Sequence, residues 1–339
     1  MGKRSSSELD RIGVEIELLA PAGVTRADVA TAIAQLSPSS ESRVVPIYAA
    51  GIESSRSGPN NYFHLTRGVK VVNAEGEIMC RLVDDATIQE GLSTDLSESG
   101  DYRIVVDDKR LLWLIERNTS AASSLRQCLL PLAKMYKTDI RATSDRRRYR
   151  VVVNQRTIAT ALTQRSGRER VVEIVTPVIT GDYRQQLDQL LAPARAQGCV
   201  VPVEAAVHVH FDAEPFRDPG RLARLVDLFQ TRAGELKDRF ATNPRCRMLG
   251  PQPPELIELL EPIGRASSDG EVVPEWQDFE PQLMQLRLPK LADINLRNLQ
   301  ARAEGKDTVE IRILGPAIDT DQIVGQIHDL QTLLTNTVL

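Results

Sequence analysis

At 339 residues, with 42% hydrophobic and 26% charged residues, the chain has the make-up of an ordinary globular protein, long enough to bury roughly three quarters of its unfolded surface. A net charge of −4 supplies no field for nucleic acid or an anionic membrane, and aromatics at 4% are too few for base-stacking platforms. Cys80, Cys128, Cys199 and Cys246 lie far apart with no CxxC, which argues against a zinc knuckle or a disulfide framework and fits a reducing cytoplasm.

No apolar run reaches the length of a membrane span, and the opening residues contain no signal-peptide core. Met1 to Ser6 fits the short myristoylation pattern but is read as a polar start. With neither an internal repeat nor a linker in view, residues 1–339 are expected to form a single domain with loop-rich insertions near 51–61 and 243–290.

The chain opens on a strand over Gly13–Leu18, in which Val14, Ile16 and Leu18 alternate with Glu15 and Glu17. Thr25 and Asp28 read as a capping box for a helix to about Leu36, and Ser37 to Ser42 as a polar loop. Val44–Ile47 reads as a second strand, and the Gly, Ser, Pro and Asn of 51–61 as a long loop. Val69–Val72, a Glu75-Gly76 turn and Ile78–Val83 form a hairpin pattern, followed by a strand at Tyr102–Val106. Periodicity leaves Leu111–Arg117 open between strand and helix, whereas Ser123–Tyr136 is expected to be helical.

Strands are expected at Tyr149–Val153, Val171–Val175, Val207–Phe211 and Thr308–Leu314. Helices are expected at Asp182–Gln197, Pro219–Phe240 and from about Asp321 onward, and the proline-rich 243–289 is expected to be irregular. Strands and helices mix without a βαβ rhythm, so the fold class is α+β with a largely antiparallel sheet.

Several of these strands carry ionisable residues on one face. Glu15 and Glu17 have Cα atoms roughly 7 Å apart, a spacing that suits one metal ion or a pair and is repulsive on a bland surface. Glu173 stands in the apolar run Val171–Val175, where a buried carboxylate needs either a cation or a paired arginine. His208 and His210, two of only four histidines, share the face opposite Val207, Val209 and Phe211. Glu310 and Arg312 share a face of the last strand, either as an ion pair or as a metal ligand beside an anion-binding cation. Asp107 and Asp108 end the strand at Tyr102. Mostly oxygen donors with few nitrogens suit Mg²⁺ or Mn²⁺. A P-loop and a GxGxxG are both missing, and the arginines at 146–150 and 165–168 read as solvated charge.

In order, Gly13-Val14-Glu15-Ile16-Glu17, Glu173-Ile174-Val175-Thr176-Pro177, His208-Val209-His210 and Thr308-Val309-Glu310-Ile311-Arg312 resemble the motifs of the amidoligase family. That family belongs to the glutamine-synthetase-like carboxylate–amine ligases, which include the glutamate–cysteine ligases. Tyr102–Asp107 is similar to a further family strand, with tyrosine in place of tryptophan and without the serine that follows. The resemblance implies a curved antiparallel sheet forming a funnel with helices on its outer face. It also implies an ATP- and Mg²⁺-dependent ligase that joins a small-molecule or peptide carboxylate to an amine through an acyl phosphate. Under it, Glu15, Glu17, Glu173, His208 and Glu310 hold metal; His210, Arg245 and Arg312 contact the nucleotide; and Arg312 and Asp107 are catalytic, Asp107 beside the amine. The rival readings are a metal-dependent hydrolase built on the HxH and carboxylate cluster, and a non-catalytic binding relative. Neither nucleic acid nor membrane is expected as a partner, and a homo-oligomer is compatible with the sequence.

Overall fold

The structure, a computed structural model, describes residues 8–36, 41–54, 61–93, 95, 101–246, 249–301 and 307–339. In chain order its elements are β1 (Ile12–Leu19), α1 (Arg26–Leu36), β2 (Arg43–Ser54), β3 (Asn61–Val72), β4 (Ile78–Val83), β5 (Tyr102–Val106), α2 (Lys109–Asn118) and α3 (Leu130–Met135). There follow β6 (Ile140–Ala142), β7 (Arg148–Val153), β8 (Arg156–Thr163), β9 (Val171–Val175), α4 (Tyr183–Ala196), β10 (Val207–Asp212), α5 (Pro219–Thr231) and α6 (Ala233–Arg239). The last are α7 (Pro254–Ser268), α8 (Trp276–Leu283), β11 (Ile294–Asn295), α9 (Arg297–Ala301), β12 (Thr308–Leu314) and α10 (Thr320–Thr337). Mixed helices and antiparallel strands make the fold α+β. No helix among the described residues is long and apolar enough to cross a membrane.

The chain packs as two compact units. The first comprises Met1–Glu17, Val175–Leu191 and Val201–Leu339, and the second Leu18–Ile174 and Ala192–Val200.

In the first unit the strands run in the order β11-β12-β10-β1, every neighbouring pair antiparallel. Val14, Ile16, Val207, Val209, Phe211, Val309, Ile311 and Ile313 form one apolar face and are buried. The expected helix over 219–240 is two helices. Thr231 returns its hydroxyl to the Asp227 carbonyl, a bond that bends helices, and Arg232 leaves helical geometry to end α5 and start α6. Between 243 and 289, expected to be irregular, lie α7 and α8: Pro254 occupies the first turn of α7, and Leu256, Leu260 and Ile263 give it a buried stripe in spite of Pro262. At the end of β12, a Cβ on Gly315 would stand 2.7 Å from the carbonyl oxygens of Phe240 and Ala241. Only a glycine lets the strand close onto the end of α6, where its N–H bonds the Phe240 carbonyl at 2.8 Å.

The second unit orders its strands β9-β4-β3-β5-β8-β7-β6, with β2 also paired to β3. β2 extends well past the expected Val44–Ile47 and takes up residues 51–54 of the expected loop; residues 55–60 of that loop, 37–40 of the earlier one and the opening Met1–Ser6 lie outside the described residues. α1 begins on a reciprocal cap: the Asp28 carboxylate accepts from the Thr25 N–H at 2.8 Å, and the Thr25 hydroxyl accepts from the Asp28 N–H at 3.2 Å. Residues 111–117 resolve as helix α2, with Leu111, Leu112 and Ile115 facing a core that includes Tyr102, Ile104 and Leu132. The helix expected from Ser123 starts only at Gln127, as a 3-10 turn leading into α3. Arg26, Asp84, Asp101 and Arg168 are buried together as an ion cluster, Arg26 Nη1 lying 3.3 Å from Asp101 Oδ2.

Candidate metal centre

The polar face of the first unit's sheet is built by register. Antiparallel pairing sets Glu15 of β1 opposite His208 of β10, His210 of β10 opposite Glu310 of β12, and Asn295 of β11 opposite Glu310. Because side chains alternate along each strand, Glu15, Glu17, His208, His210, Glu310 and Arg312 all emerge on the face away from the valines and isoleucines. A register irregularity between Val207 and Val209 shifts β10 against β12 beside Arg312, a bulge of the kind that re-aims side chains next to functional sites.

His208 is the hub. Its Nδ1 lies 3.2 Å from Glu15 Oε2 and 3.5 Å from Glu310 Oε1, and its Nε2 lies 3.5 Å from Glu17 Oε1. Ligand atoms of Glu15, His208 and Glu310 all fall within 4.8 Å of one another. Glu17 shares the site, but its Oε2 accepts the Ala206 N–H at 2.8 Å, leaving Oε1 turned to the histidine. His210 Nε2 is 3.1 Å from Glu15 Oε1, and its Nδ1 is 3.3 Å from the Thr308 hydroxyl. Arg312 Nη1 donates to Glu310 Oε1.

Burial pushes the Glu15 carboxyl up, but the charge of His210 and the close approach of both imidazoles outweigh it and hold Glu15 well below the ordinary carboxylate range. Burial likewise opposes ionisation of Glu310, and His210 and Arg312 overcome it to lower that group as well. Burial lowers His210 while Glu15 raises it, with the net effect upward, and Arg312 is raised by Glu310 and Glu15 against its own burial.

These residues fit a divalent cation. With both imidazoles neutral, three carboxylates against one guanidinium leave two negative charges, which matches one divalent ion. His208 Nε2, His210 Nε2 and Arg312 Nε are buried and make no hydrogen bond, although buried polar atoms are normally satisfied. Carboxylate oxygens with a single nitrogen suit Mg²⁺ or Mn²⁺ better than a soft metal.

The family described as putative amidoligase enzyme matches residues 8–332. The chain belongs to the amidoligase family. No curated protein and no solved structure matches it.

The amidoligase motifs divide between the two units. Glu15, Glu17, His208, His210, Glu310 and Arg312 lie together in the first, and Glu173 lies on β9 in the second. Asp107, also in the second unit, leaves β5 and pairs with Arg156 Nη2 at 2.8 Å, while Asp108 caps α2 by accepting from the Arg110 N–H. Arg245 is exposed in the first unit, in a turn where its N–H donates to Asn243 Oδ1. The site also contains residues the sequence reading passed over. Asn295 donates from Nδ2 to Glu310 Oε2 at 2.6 Å, and Asn298 donates to the Thr308 hydroxyl at 3.1 Å. The signal was there: Asp293 and Asn295 alternate with Ile294 and Leu296, but a two-residue strand carries too little of the pattern to stand out.

Proposed function

We propose that this amidoligase joins a carboxylate to an amine at the expense of ATP, with Mg²⁺ held by Glu15, His208 and Glu310. The observation that carries the reading is the convergence of those three ligands beside Arg312 in a member of an amide-forming family.

A carboxylate does not condense with an amine at neutral pH without activation. Attack of a carboxylate oxygen on the γ-phosphorus of ATP forms an O–P bond, breaks the bond to ADP and gives an acyl phosphate. The amine nitrogen then attacks the acyl carbon, phosphate leaves with the bonding pair, and the nitrogen gives up a proton. Mg²⁺, when bound, offsets charge on the phosphates during transfer.

Within this reading each side chain has its own task. Arg312, oriented by Glu310 and fully protonated, offers the unused Nε donor to the transferring phosphoryl group. Glu15 and Glu310 hold the ion, and His210 holds Glu15 by its Oε1. Glu17, anchored by a backbone N–H, sets its other oxygen beside His208 and so orients the imidazole.

The test is calorimetry with Mg²⁺ and a non-hydrolysable ATP analogue. The analogue should bind only with Mg²⁺ present; Arg312→Ala should weaken the analogue while sparing the metal, and Glu310→Gln should weaken both. Equal affinity for the analogue with and without divalent ions would rule the proposal out.

A further inference from the structure

We infer that Asn295, at the end of β11, and Asn298, in α9, are the positioning residues of the metal centre. Asn295 decides which oxygen of Glu310 faces the ion, and Asn298, acting through Thr308, decides which nitrogen of His210 carries the proton that faces Glu15. The inference rests on reading the cluster as a divalent metal site.

Glu310 presents two chemically equal oxygens, and its surroundings make them unequal. Oε2 accepts from Asn295 Nδ2 at 2.6 Å, while Oε1 lies 3.5 Å from His208 Nδ1 and accepts from Arg312. The orientation of the Asn295 amide is itself determined. Its Oδ1 accepts the Arg297 N–H at 3.1 Å, so the NH₂ end must be the one on Glu310; the flipped amide would set oxygen against oxygen. Register supplies the rest, since Asn295 is the direct cross-strand partner of Glu310 and is buried with it. A neutral donor suits this position. It fixes the carboxylate without cancelling the charge the ion needs, as a lysine would, and without repelling it, as an aspartate would.

Three residues on, Asn298 Nδ2 donates to the Thr308 hydroxyl at 3.1 Å, and that hydroxyl lies 3.3 Å from His210 Nδ1. An amide NH₂ only donates, so the hydroxyl oxygen accepts it and has its own proton available to donate to a neutral Nδ1. If the ring is charged instead, Nδ1–H donates to the same oxygen. With the hydroxyl donating to Nδ1, or with the ring charged, Nε2 carries a proton; it lies 3.1 Å from Glu15 Oε1, within ion-pair distance but outside hydrogen-bond geometry. His210 thereby turns a proton toward Glu15 and orients it by charge.

The experiment titrates the full-length chain with Mn²⁺ and follows loss of the free-ion signal by electron paramagnetic resonance, with thermal melts of the chelated protein alongside. Asn295→Leu, which keeps the size and removes the donor, should weaken Mn²⁺ by about 10- to 100-fold, and Asn298→Ala and Thr308→Val should weaken it in the same direction. A purely architectural role would instead lower the metal-free melting temperature and leave Mn²⁺ affinity alone. Should Asn295→Leu fail to fold, Thr308→Val, close to isosteric, decides the matter. Wild-type affinity in Asn295→Leu and Thr308→Val, with Glu310→Gln impaired, overturns this inference alone. Wild-type affinity in Glu310→Gln, or no uptake by the unaltered chain, overturns the metal reading and the inference with it.

Discussion

At the scale of single residues, the site is a problem in charge balance. Glu15 and Glu310 both face His208, and each carboxylate raises the cost of ionising the other unless positive charge lies between them. In chelated protein that charge comes from His210 and Arg312. The two carboxyls then titrate below their ordinary 4.5 and His210 above its ordinary 6.5. A lowered acid contributes stability that is lost as pH falls through its folded value. A raised imidazole contributes stability that is lost as pH rises through its folded value. The chelated protein should therefore melt highest between those two ordinary values, and Glu15→Gln should flatten the profile on both sides. Melting scans across pH in the presence of a chelator check this; a Glu15→Gln profile parallel to the unaltered chain would count against the pairing.

The three strands that carry the site are also the elements most legible in the sequence. β1, β10 and β12 each alternate apolar and ionisable residues, so burying one face commits the other to Glu15, His208 or Glu310. What alternation does not encode is register across the chain. That Glu15 meets His208 rather than His210 as its cross-strand partner depends on pairing between segments 193 residues apart. α7 and α8 were illegible for another reason: Pro262 and Pro281 sit inside helices whose buried stripes outweigh them, so local propensity misled. Asn295 was hidden by brevity. Gly315 shows an element junction that a sequence pattern cannot reveal, because the crowding comes from Phe240 and Ala241. Gly315→Ala should force β12 away from the end of α6 and destabilise the protein by about 1–3 kcal/mol, read from urea unfolding. An unchanged midpoint would mean the backbone gives way at no cost.

For the molecule as a whole, the division of labour follows the two compact units. The first carries the candidate metal centre, and the second has its own apolar core and a buried ion cluster. In that cluster Arg168 bonds the Asp84 carboxylate and the carbonyls of Asp85 and Ile88, with Asp84 almost wholly buried. Arg168→Leu strips Asp84 of its main partner and should cost about 3–5 kcal/mol, seen as a loss of unfolding free energy in denaturant. A cost below about 1 kcal/mol would show that Arg26 and Gln164 satisfy Asp84 unaided. The central claim concerns chemistry, and the most direct measurement is trapping of the activated carboxylate. The protein is incubated with Mg²⁺, ATP, a mixture of amino acids and peptides, and hydroxylamine as the amine. The account predicts hydroxamate and ADP in equal amounts, both dependent on Mg²⁺ and on an added carboxylate, and both lost in Glu310→Gln. Amide cleavage without ATP, or ADP release with no hydroxamate formed, would contradict it.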